Sequence, residues 1–413
     1  MEFSKPLRIA LVGILFITSL SAEVIGLRDW TNSKNQTLSG SLVRITTEKK
    51  DGKEVKMITL KLERGKEVSF EVDRLNAAHK KELLAWLKNN PMGVAPPSPP
   101  YFWPSDYSGS NSPKVEYVEF DAKRKAHLYH TAHFDFYVDV KISNSTVSKC
   151  VAVFDTIVEA IDALPMAMDT VPKGKRPRYQ AILVSSRETY MKMGGIPNSG
   201  GFFSPSKNLT VIPFQSLGIV QKGNKWVFDG KRRSFETLLH ELTHHATSHW
   251  YGMPPWFQEG LAEYMSVMPY QSGRFLFTNP QSAVVSAIRK YKDYVVGDFV
   301  LPKGEFQMVN TEQLFATDRR RWNGMMVNRA ASARNYTSSM VLACYFMHED
   351  GDGDGAHFID WMHAWRAAFI TKKTGEYDAL IKKHLLRDRS FNELEEDIQE
   401  KMRKRGLRIN FSS

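Results

Sequence analysis

Two stretches that are close together in the chain, SFETLLHELTHHA (234–246) and PPWFQEGLAEY (254–264), decide the fold of its largest part. Leucines recur at helical spacing in the first stretch, and Ser234 is a residue type that caps the N-termini of helices. The pattern therefore predicts a helix. Residues four positions apart lie on the same face of a helix, so His240 and His244 face the same way.

Histidines at this spacing are typical of a metal site. Two imidazole nitrogens at positions i and i+4 can point at one zinc ion, and Glu241, which follows the first histidine, can take a proton from a zinc-bound water. The pattern is H-E-x-x-H. A helix that merely carries these residues on an exposed face is the alternative interpretation, and the acidic residues downstream argue against it.

A catalytic zinc needs a third protein ligand and one open position. Glu259 and Glu263 share one face of the second predicted helix, whose first turn Pro254 and Pro255 favour. One glutamate can reach the metal, and the other can accept a hydrogen bond from a ligating histidine. A closed structural zinc site would instead require a fourth protein ligand, for which His245 and Glu263 are the candidates.

The HELTH segment (240–244) resembles that of thermolysin-like peptidases, and WFQEGLA (256–262) resembles the W-x-x-E-G-x-A segment of gluzincin metallopeptidases. The likeness to a peptidase-MA-like domain extends from about residue 125 to residue 368. It implies a zincin-type fold with an N-terminal sheet and a mostly helical C-terminal half. It also implies that Glu259 is the third zinc ligand and that Glu263 is the hydrogen-bond partner of a ligating histidine.

Hydrolysis of an amide also needs a group that stabilises the oxyanion. Related enzymes use a Tyr or His from a later helix, and Tyr336 opens an apolar helix at a suitable point in the chain. Aromatic packing at the start of a helix is the alternative role for this residue. The glycine-rich segment 194–201 and the following residues 209–213 resemble a loop and an edge strand with which an extended substrate could pair.

The N-terminal segment, residues 1–22, is typical of a secretory signal peptide. Lys5 and Arg8 precede the apolar residues 9–20, and small residues follow. The apolar stretch is shorter than the roughly 20 residues that a membrane-spanning helix needs. We therefore expect a secreted, periplasmic or cell-envelope protein without a transmembrane span after signal removal, and an uncleaved anchor is the alternative.

Residues 23–90 are predicted to form a small β domain. Polar and apolar residues alternate over 41–47, 55–62 and 67–72, and a helix follows from Asn76.

The matching features of a known domain are RDW at 28–30, the strand at 53–62, GKE at 65–67, and Val68, Phe70, Val72 and Arg74-Leu75. With these features the segment 28–89 resembles the small SH3-like homology domain that is common in exported bacterial proteins. The likeness implies a small β-barrel that binds or tethers a protein ligand.

Residues 91–118 are rich in Pro, Ser and Gly, which disfavour both helix and sheet, and they predict a linker. Two roles remain open for it. It can be a spacer, or the aromatic residues YFW (101–103) can dock it onto a neighbouring domain, because three adjacent aromatics are costly to leave in water. Residues 119–413 are assigned to the metallopeptidase domain, with a charged helical tail at about 375–413.

The composition excludes several classes of protein. A chain of 413 residues with 42% apolar and 24% charged residues is neither disordered, collagenous nor a polytopic membrane protein. Its two cysteines, Cys150 and Cys344, cannot form a disulfide framework, although they could pair with each other or remain buried thiols. The net charge of +11 is spread along the chain without a nucleic-acid-binding module.

The acidic run DGDGDG (350–355) begins like a calcium-binding loop. The position that requires a bidentate glutamate holds Trp361, so a flexible acidic turn is the default interpretation.

The sequence as a whole predicts an α+β protein. It would be an exported zinc-dependent peptidase, acting on a peptide or protein substrate with Glu241 as the general base. The alternative is a catalytically silent zincin-fold protein of the cell envelope that binds partners through its SH3-like domain.

Overall fold

The computed structural model describes residues 25–51, 53–62, 66–89, 100–168, 170–172, 176–197, 199–233, 235–291, 305–325 and 328–412. The chain is a mixed α/β protein with two compact units, Met1–Ala95 and Pro96–Ser413. The predicted signal peptide, residues 1–22, lies outside the described residues.

The described strands are β1 (Ile25–Thr31), β2 (Thr37–Lys50), β3 (Lys53–Lys61), β4 (Glu67–Glu71), β5 (Asp106–Ser108), β6 (Glu116–Asp121), β7 (Ala126–His130), β8 (Phe134–Val138), β9 (Tyr179–Val184), β10 (Phe202–Ser204), β11 (Leu209–Pro213), β12 (Leu217–Lys222), β13 (Lys225–Arg233), β14 (Tyr270–Gln271), β15 (Arg274–Leu276), β16 (Glu305–Val309) and β17 (Arg408–Ser412). The described helices are α1 (Ala77–Asn89), α2 (Asn144–Ala163), α3 (Arg187–Lys192), α4 (Glu236–Ala246), α5 (Pro255–Val267), α6 (Pro280–Tyr291), α7 (Thr311–Phe315), α8 (Arg319–Met325), α9 (Arg329–His348), α10 (Ala356–Ile370), α11 (Tyr377–Leu380) and α12 (Phe391–Lys404).

The first unit is an antiparallel sheet in the order β1-β2-β3-β4, followed by α1. Its core contains Trp30, whose indole nitrogen donates to the Gly40 carbonyl at 2.9 Å, together with Leu60 and Leu83. Within the described residues the sheet is open, in contrast to the closed barrel that the family resemblance implied. After β4 the chain turns into a 3-10 helix at Val72–Arg74, so β4 pairs with β3 alone.

The second unit contains a six-stranded sheet in the order β10-β11-β9-β8-β7-β6. Strand β9 pairs in parallel with β8 and β11, and the other pairs are antiparallel. Helix α2, capped by the Ser143 side chain, packs on this sheet through Phe154, whose ring contacts Phe134 and Phe136 of β8 edge-on. The sheet is therefore anchored by an aromatic cluster in its middle.

Helices α4, α5 and α9 form the centre of the helical half. Helix α5 approaches α9 closely at Gly260, where a Cβ atom would lie only 2.4 Å from the Ser339 carbonyl oxygen. A larger residue at this position would push the two helices apart. On the same helix Trp256 is fully buried and stacks on Trp361 of α10, with ring centroids 5.0 Å apart.

The segment predicted as a linker is in part ordered structure of the second unit. Tyr101 is buried, and the Trp103 indole donates to the Asp354 carbonyl at 2.7 Å. Strand β5 pairs with β15, and β6 begins before the predicted linker ends. The expectation that no sheet forms here was wrong, because buried aromatics fix the segment and β15 supplies hydrogen-bond partners. From residue 100 onward, docking describes it better than a spacer.

The C-terminal tail is only partly helical. After α11 and a π-helical turn at Ile381–Leu386, helix α12 carries a capping box between Ser390 and Glu393. Strand β17 then pairs in parallel with β16. The end of the chain is thus tied to the second unit by a strand that the sequence pattern did not predict.

Three further expectations concern cysteine, calcium and membrane. Cys150 and Cys344 are both buried and not joined in a disulfide. In the acidic run, Asp350 forms ion pairs with Arg387 at 2.6 Å and Arg389 at 3.0 Å, so two arginines already share one of its carboxylate oxygens. Among the described residues, none of the helices is both long and apolar enough to cross a bilayer.

Candidate metal centre

The histidine helix α4 is fixed by the apolar residues between its polar ones. Leu238, Leu239 and Leu242 are buried, which leaves His240 and His244 on the opposite, half-buried side. The helix begins at Glu236. The predicted cap Ser234 lies outside the described residues.

Three side-chain atoms from α4 and α5 converge on one point. They could bind a metal, and they are called the donors below. The Nε2 atoms of His240 and His244 are 3.1 Å apart. The Oε2 atom of Glu259 lies 3.0 Å from the His244 nitrogen and 3.5 Å from the His240 nitrogen. These three side chains are the group in the described part of the chain that could hold a metal ion, and they are called the metal-ligand cluster below.

Glu263 lies behind the first histidine rather than beside the other donors. Its Oε1 atom is 3.1 Å from His240 Nδ1, on the far side of the ring from Nε2. A carboxylate in this position fixes the orientation of the imidazole and directs Nε2 outward. One turn of α5 separates the two glutamates, so a single helix provides both a donor and the partner of a donor.

The carboxylates and imidazoles shift each other's protonation. Burial lowers the pKa of His240, but the hydrogen bonds that its ring donates to Glu259 and Glu263 outweigh burial and raise it well above its usual value. Burial raises the pKa of Glu259, but the charges and hydrogen bonds of the two histidines outweigh burial and hold it well below its usual value. The glutamate is thus ionised at neutral pH, and a metal that binds here displaces a proton from His240.

Glu241 lies next to the three donors with one oxygen held by the backbone. Its Oε2 atom accepts a hydrogen bond from the Phe203 amide of β10 at 2.8 Å. Phe203 of β10 is paired with Thr210 of β11. Its N–H points toward α4, so this amide is on the outer side of the edge strand. No sequence pattern indicated this contact, since a backbone donor has no side-chain signature.

The edge strand of the six-stranded sheet on this side is β10, not the predicted segment 209–213. Leu209–Pro213 is strand β11, which has neighbours on both sides, and β10 at Phe202–Ser204 is the edge. The short strand was not recognised because glycines 200 and 201 precede it and serine and proline follow. The edge itself is close to the metal-ligand cluster through the Phe203–Glu241 contact.

The expectation that Tyr336 opens a helix was wrong, because α9 begins at Arg329. Tyr336 extends from within α9 toward the same cluster. Its ring centroid is 5.8 Å from that of His240 in an edge-on contact, and Trp322 packs against it at 5.5 Å. Burial, together with the nearby carboxylates of Glu259 and Glu263, raises the pKa of the Tyr336 phenol. The phenol therefore keeps its proton at neutral pH and can act as a hydrogen-bond donor.

His245 faces away from the other two histidines. It is completely buried, its Nδ1 atom lies 2.8 Å from the Thr210 hydroxyl, and its ring stacks on Phe203. Burial lowers its pKa to about 3. The residue joins α4 to the sheet and is not directed toward Glu259.

A cavity of about 900 Å³ opens over the cluster. Glu241 and Tyr336 line it, as do the aromatic residues Tyr251, Trp365 and Tyr377. Arg319, 60 residues beyond Glu259 in the chain, also lines it and donates to Glu259 Oε1 at 3.0 Å. Sequence reasoning missed this arginine, because no periodicity connects it to the helices that carry the donors.

The chain matches no protein-family description, and no curated protein is detectably similar to it. Its function is therefore inferred from the side chains of the site.

Proposed function

We propose that this protein is a zinc-dependent peptidase that hydrolyses peptide bonds with Glu241 as the general base. The observation that carries the proposal is the convergence of His240 Nε2, His244 Nε2 and Glu259 Oε2, with mutual distances of 3.0, 3.1 and 3.5 Å. The proposal includes the zincin-type layout that the sequence resemblance implied.

The donor set fits zinc in number, type and spacing. Two atoms that bind a tetrahedral zinc at about 2.0–2.1 Å are about 3.3 Å apart, close to the three observed separations. Two imidazoles and a carboxylate are a usual set for catalytic zinc and leave one position open. A zinc ion held here would polarise a peptide carbonyl and lower the pKa of a coordinated water toward about 7.

Glu241 would move the proton in this reaction. One of its oxygens is held by the Phe203 amide, which orients the carboxylate within the cavity that contains the donors. The carboxylate would accept a proton from the attacking water and deliver it to the leaving nitrogen.

Tyr336 would stabilise negative charge on the carbonyl oxygen. Its raised pKa keeps the phenol protonated, and its position beside His240 is within the same cavity. A hydrogen bond from the phenol to that oxygen would strengthen as negative charge develops.

A closed structural zinc site has less support. Such a site needs a fourth protein ligand, but His245 is bonded to Thr210 in an aromatic pocket. Glu263 contacts the opposite nitrogen of His240. Three side chains and an accessible cavity favour a catalytic site.

The remaining sequence expectations belong to the same proposal. The first unit would be an SH3-like module that binds a protein ligand, and the protein would be exported to the cell envelope or secreted. In the alternative version the zincin-fold unit would have no turnover, and binding through the first unit would be the function.

The test is Glu241→Gln, with Glu236→Gln on the same helix as the matched control. Removing the base should leave one zinc per chain but lower kcat on a peptide library by about 10²–10⁴-fold. The control, which is outside the metal-ligand cluster, should retain both zinc and activity. Hydrolysis by Glu241→Gln at the wild-type rate, or hydrolysis that persists after zinc has been removed by a chelator, would contradict the proposal.

A further inference from the structure

The two oxygens of Glu259 have different partners. Oε2 is directed at the histidine nitrogens, whereas Oε1 accepts a hydrogen bond from Arg319 Nη1 at 3.0 Å. The other terminal nitrogen of Arg319 donates to the side-chain oxygen of Gln258. The guanidinium thus contacts two consecutive residues of α5.

Arg319 is held in this position by the short helix that carries it. The Asp318 carboxylate caps α8 by accepting from the Arg321 amide at 2.7 Å. At the next turn Trp322 is buried and packs against Tyr336. The contacts on both sides of the arginine fix the backbone of α8, and Glu259 and Gln258 hold the guanidinium itself.

The two side chains of this ion pair differ in burial. The Glu259 side chain is 8% exposed, whereas that of Arg319 is 45% exposed. The carboxylate can therefore find few other partners, and the arginine remains open to the cavity on one side. A planar guanidinium binds carboxylate oxygens directionally, which a lysine ammonium does not.

We propose that Arg319 is a positioning residue that restricts Glu259 to binding the metal through one oxygen. This inference rests on the proposed function. A carboxylate can bind a metal through one oxygen or through both, and in the second mode Oε1 would occupy the position needed by water. By binding Oε1, Arg319 would keep that position open.

The test compares Arg319→Met and Arg319→Lys with Arg320→Met. The control removes a neighbouring exposed arginine of the same helix and leaves the Glu259 contact intact. Two quantities are measured in each full-length protein, namely the zinc dissociation constant, by competition with a chromophoric chelator, and the visible spectrum of the cobalt-substituted form. Circular dichroism checks that each variant is folded.

Arg319→Met should change the zinc dissociation constant by about 10- to 100-fold, the range typical when the partner of a ligand is removed. Its cobalt spectrum should lose the intensity of a four-coordinate ion, because Glu259 can then bind through both oxygens. Arg319→Lys should show the same spectral change, since an ammonium lacks the planar fork, and Arg320→Met should match the wild type.

An unchanged dissociation constant and an unchanged spectrum in folded Arg319→Met would overturn the positioning role while leaving the zinc peptidase proposal intact. If the wild-type protein itself bound neither zinc nor cobalt, both proposals would fail together. The two failures are therefore distinguishable.

Discussion

Helix α9 has two tyrosines, one that lines the cavity and one whose phenol is bound by an aspartate and an arginine. Tyr336 lines the cavity over the metal-ligand cluster. Tyr345, near the other end of the helix, donates to Asp350 at 3.2 Å and accepts from Arg389 at 2.9 Å. Each tyrosine is thus near a carboxylate that the sequence made a candidate for binding a cation, Glu259 in one case and Asp350 in the other.

The two carboxylates differ in what already occupies them. In the acidic run, one oxygen of Asp350 is shared by Arg387 and Arg389. In the metal-ligand cluster, Arg319 takes only the outer oxygen of Glu259, and the inner oxygen faces two histidines. An acidic residue is therefore a candidate cation ligand only where one of its carboxylate oxygens is not bound by arginine and faces other side chains that can bind a metal.

The largest expected effect is a difference in kcat between variants of the two tyrosines. Tyr336→Phe should lower kcat by about 10²–10³-fold with zinc unchanged, because it removes one donor to the developing oxyanion. Tyr345→Phe, the matched variant on the same helix, should keep its turnover but lose about 0.5–1.5 kcal/mol of stability, because it removes hydrogen bonds to Asp350 and Arg389, which retain each other as partners. Steady-state kinetics and denaturant unfolding measure both, and equal kcat values in the two variants would remove the catalytic role of Tyr336.

The next effect is a difference in zinc affinity between variants of three carboxylates. Glu259→Ala should weaken zinc binding by more than the roughly 10- to 100-fold expected for Glu263→Ala, because the first loses a ligand and the second loses the partner of a ligand. Asp350→Asn should leave zinc affinity as in the wild type. Competition with a chelator measures all three, and full zinc binding by Glu259→Ala with loss in Glu263→Ala would reverse the assignment of the two glutamates.

The effect that is smallest per pH unit concerns one buried histidine. His348, at the end of α9, is hydrogen-bonded to the Tyr264 phenol, and burial lowers its pKa from 6.5 to about 4. Between these values the unfolded chain binds a proton that the native histidine does not bind. Stability should therefore fall as the pH drops from about 6.5 to about 4, by up to about 1.4 kcal/mol per pH unit for this residue, and its contribution should level off below.

The matched pair for this effect is His348→Gln and His357→Gln. The first removes the buried group and should flatten the pH dependence of the unfolding free energy, whereas the second changes an exposed histidine and should not. If the two variants gave identical pH profiles, burial of His348 would not be a source of acid sensitivity.

Local patterns predicted much of the helical site. The spacing of Leu238, Leu239 and Leu242 determines which face of α4 is buried, so the direction of His240 and His244 followed from the sequence. In the first unit the alternating residues and Asn76, whose side chain accepts from the His79 amide at 2.9 Å, likewise located the strands and α1. These features depend on neighbours within one or two turns.

Contacts between distant segments were not predictable in the same way. Arg319 reaches Glu259 across 60 residues, and the Phe203 amide reaches Glu241 across 38. The docking of Trp103 on Asp354 joins residues 251 positions apart. Each of these depends on how whole elements pack, and no periodicity within a single element encodes it.

The most direct measurement is an anomalous diffraction map, recorded at the zinc edge, of the protein crystallised with zinc. We predict one peak about 2.0–2.2 Å from His240 Nε2, His244 Nε2 and one oxygen of Glu259, with solvent as the fourth ligand. No peak at this position, or a peak whose fourth ligand is another protein side chain, would contradict a catalytic zinc centre.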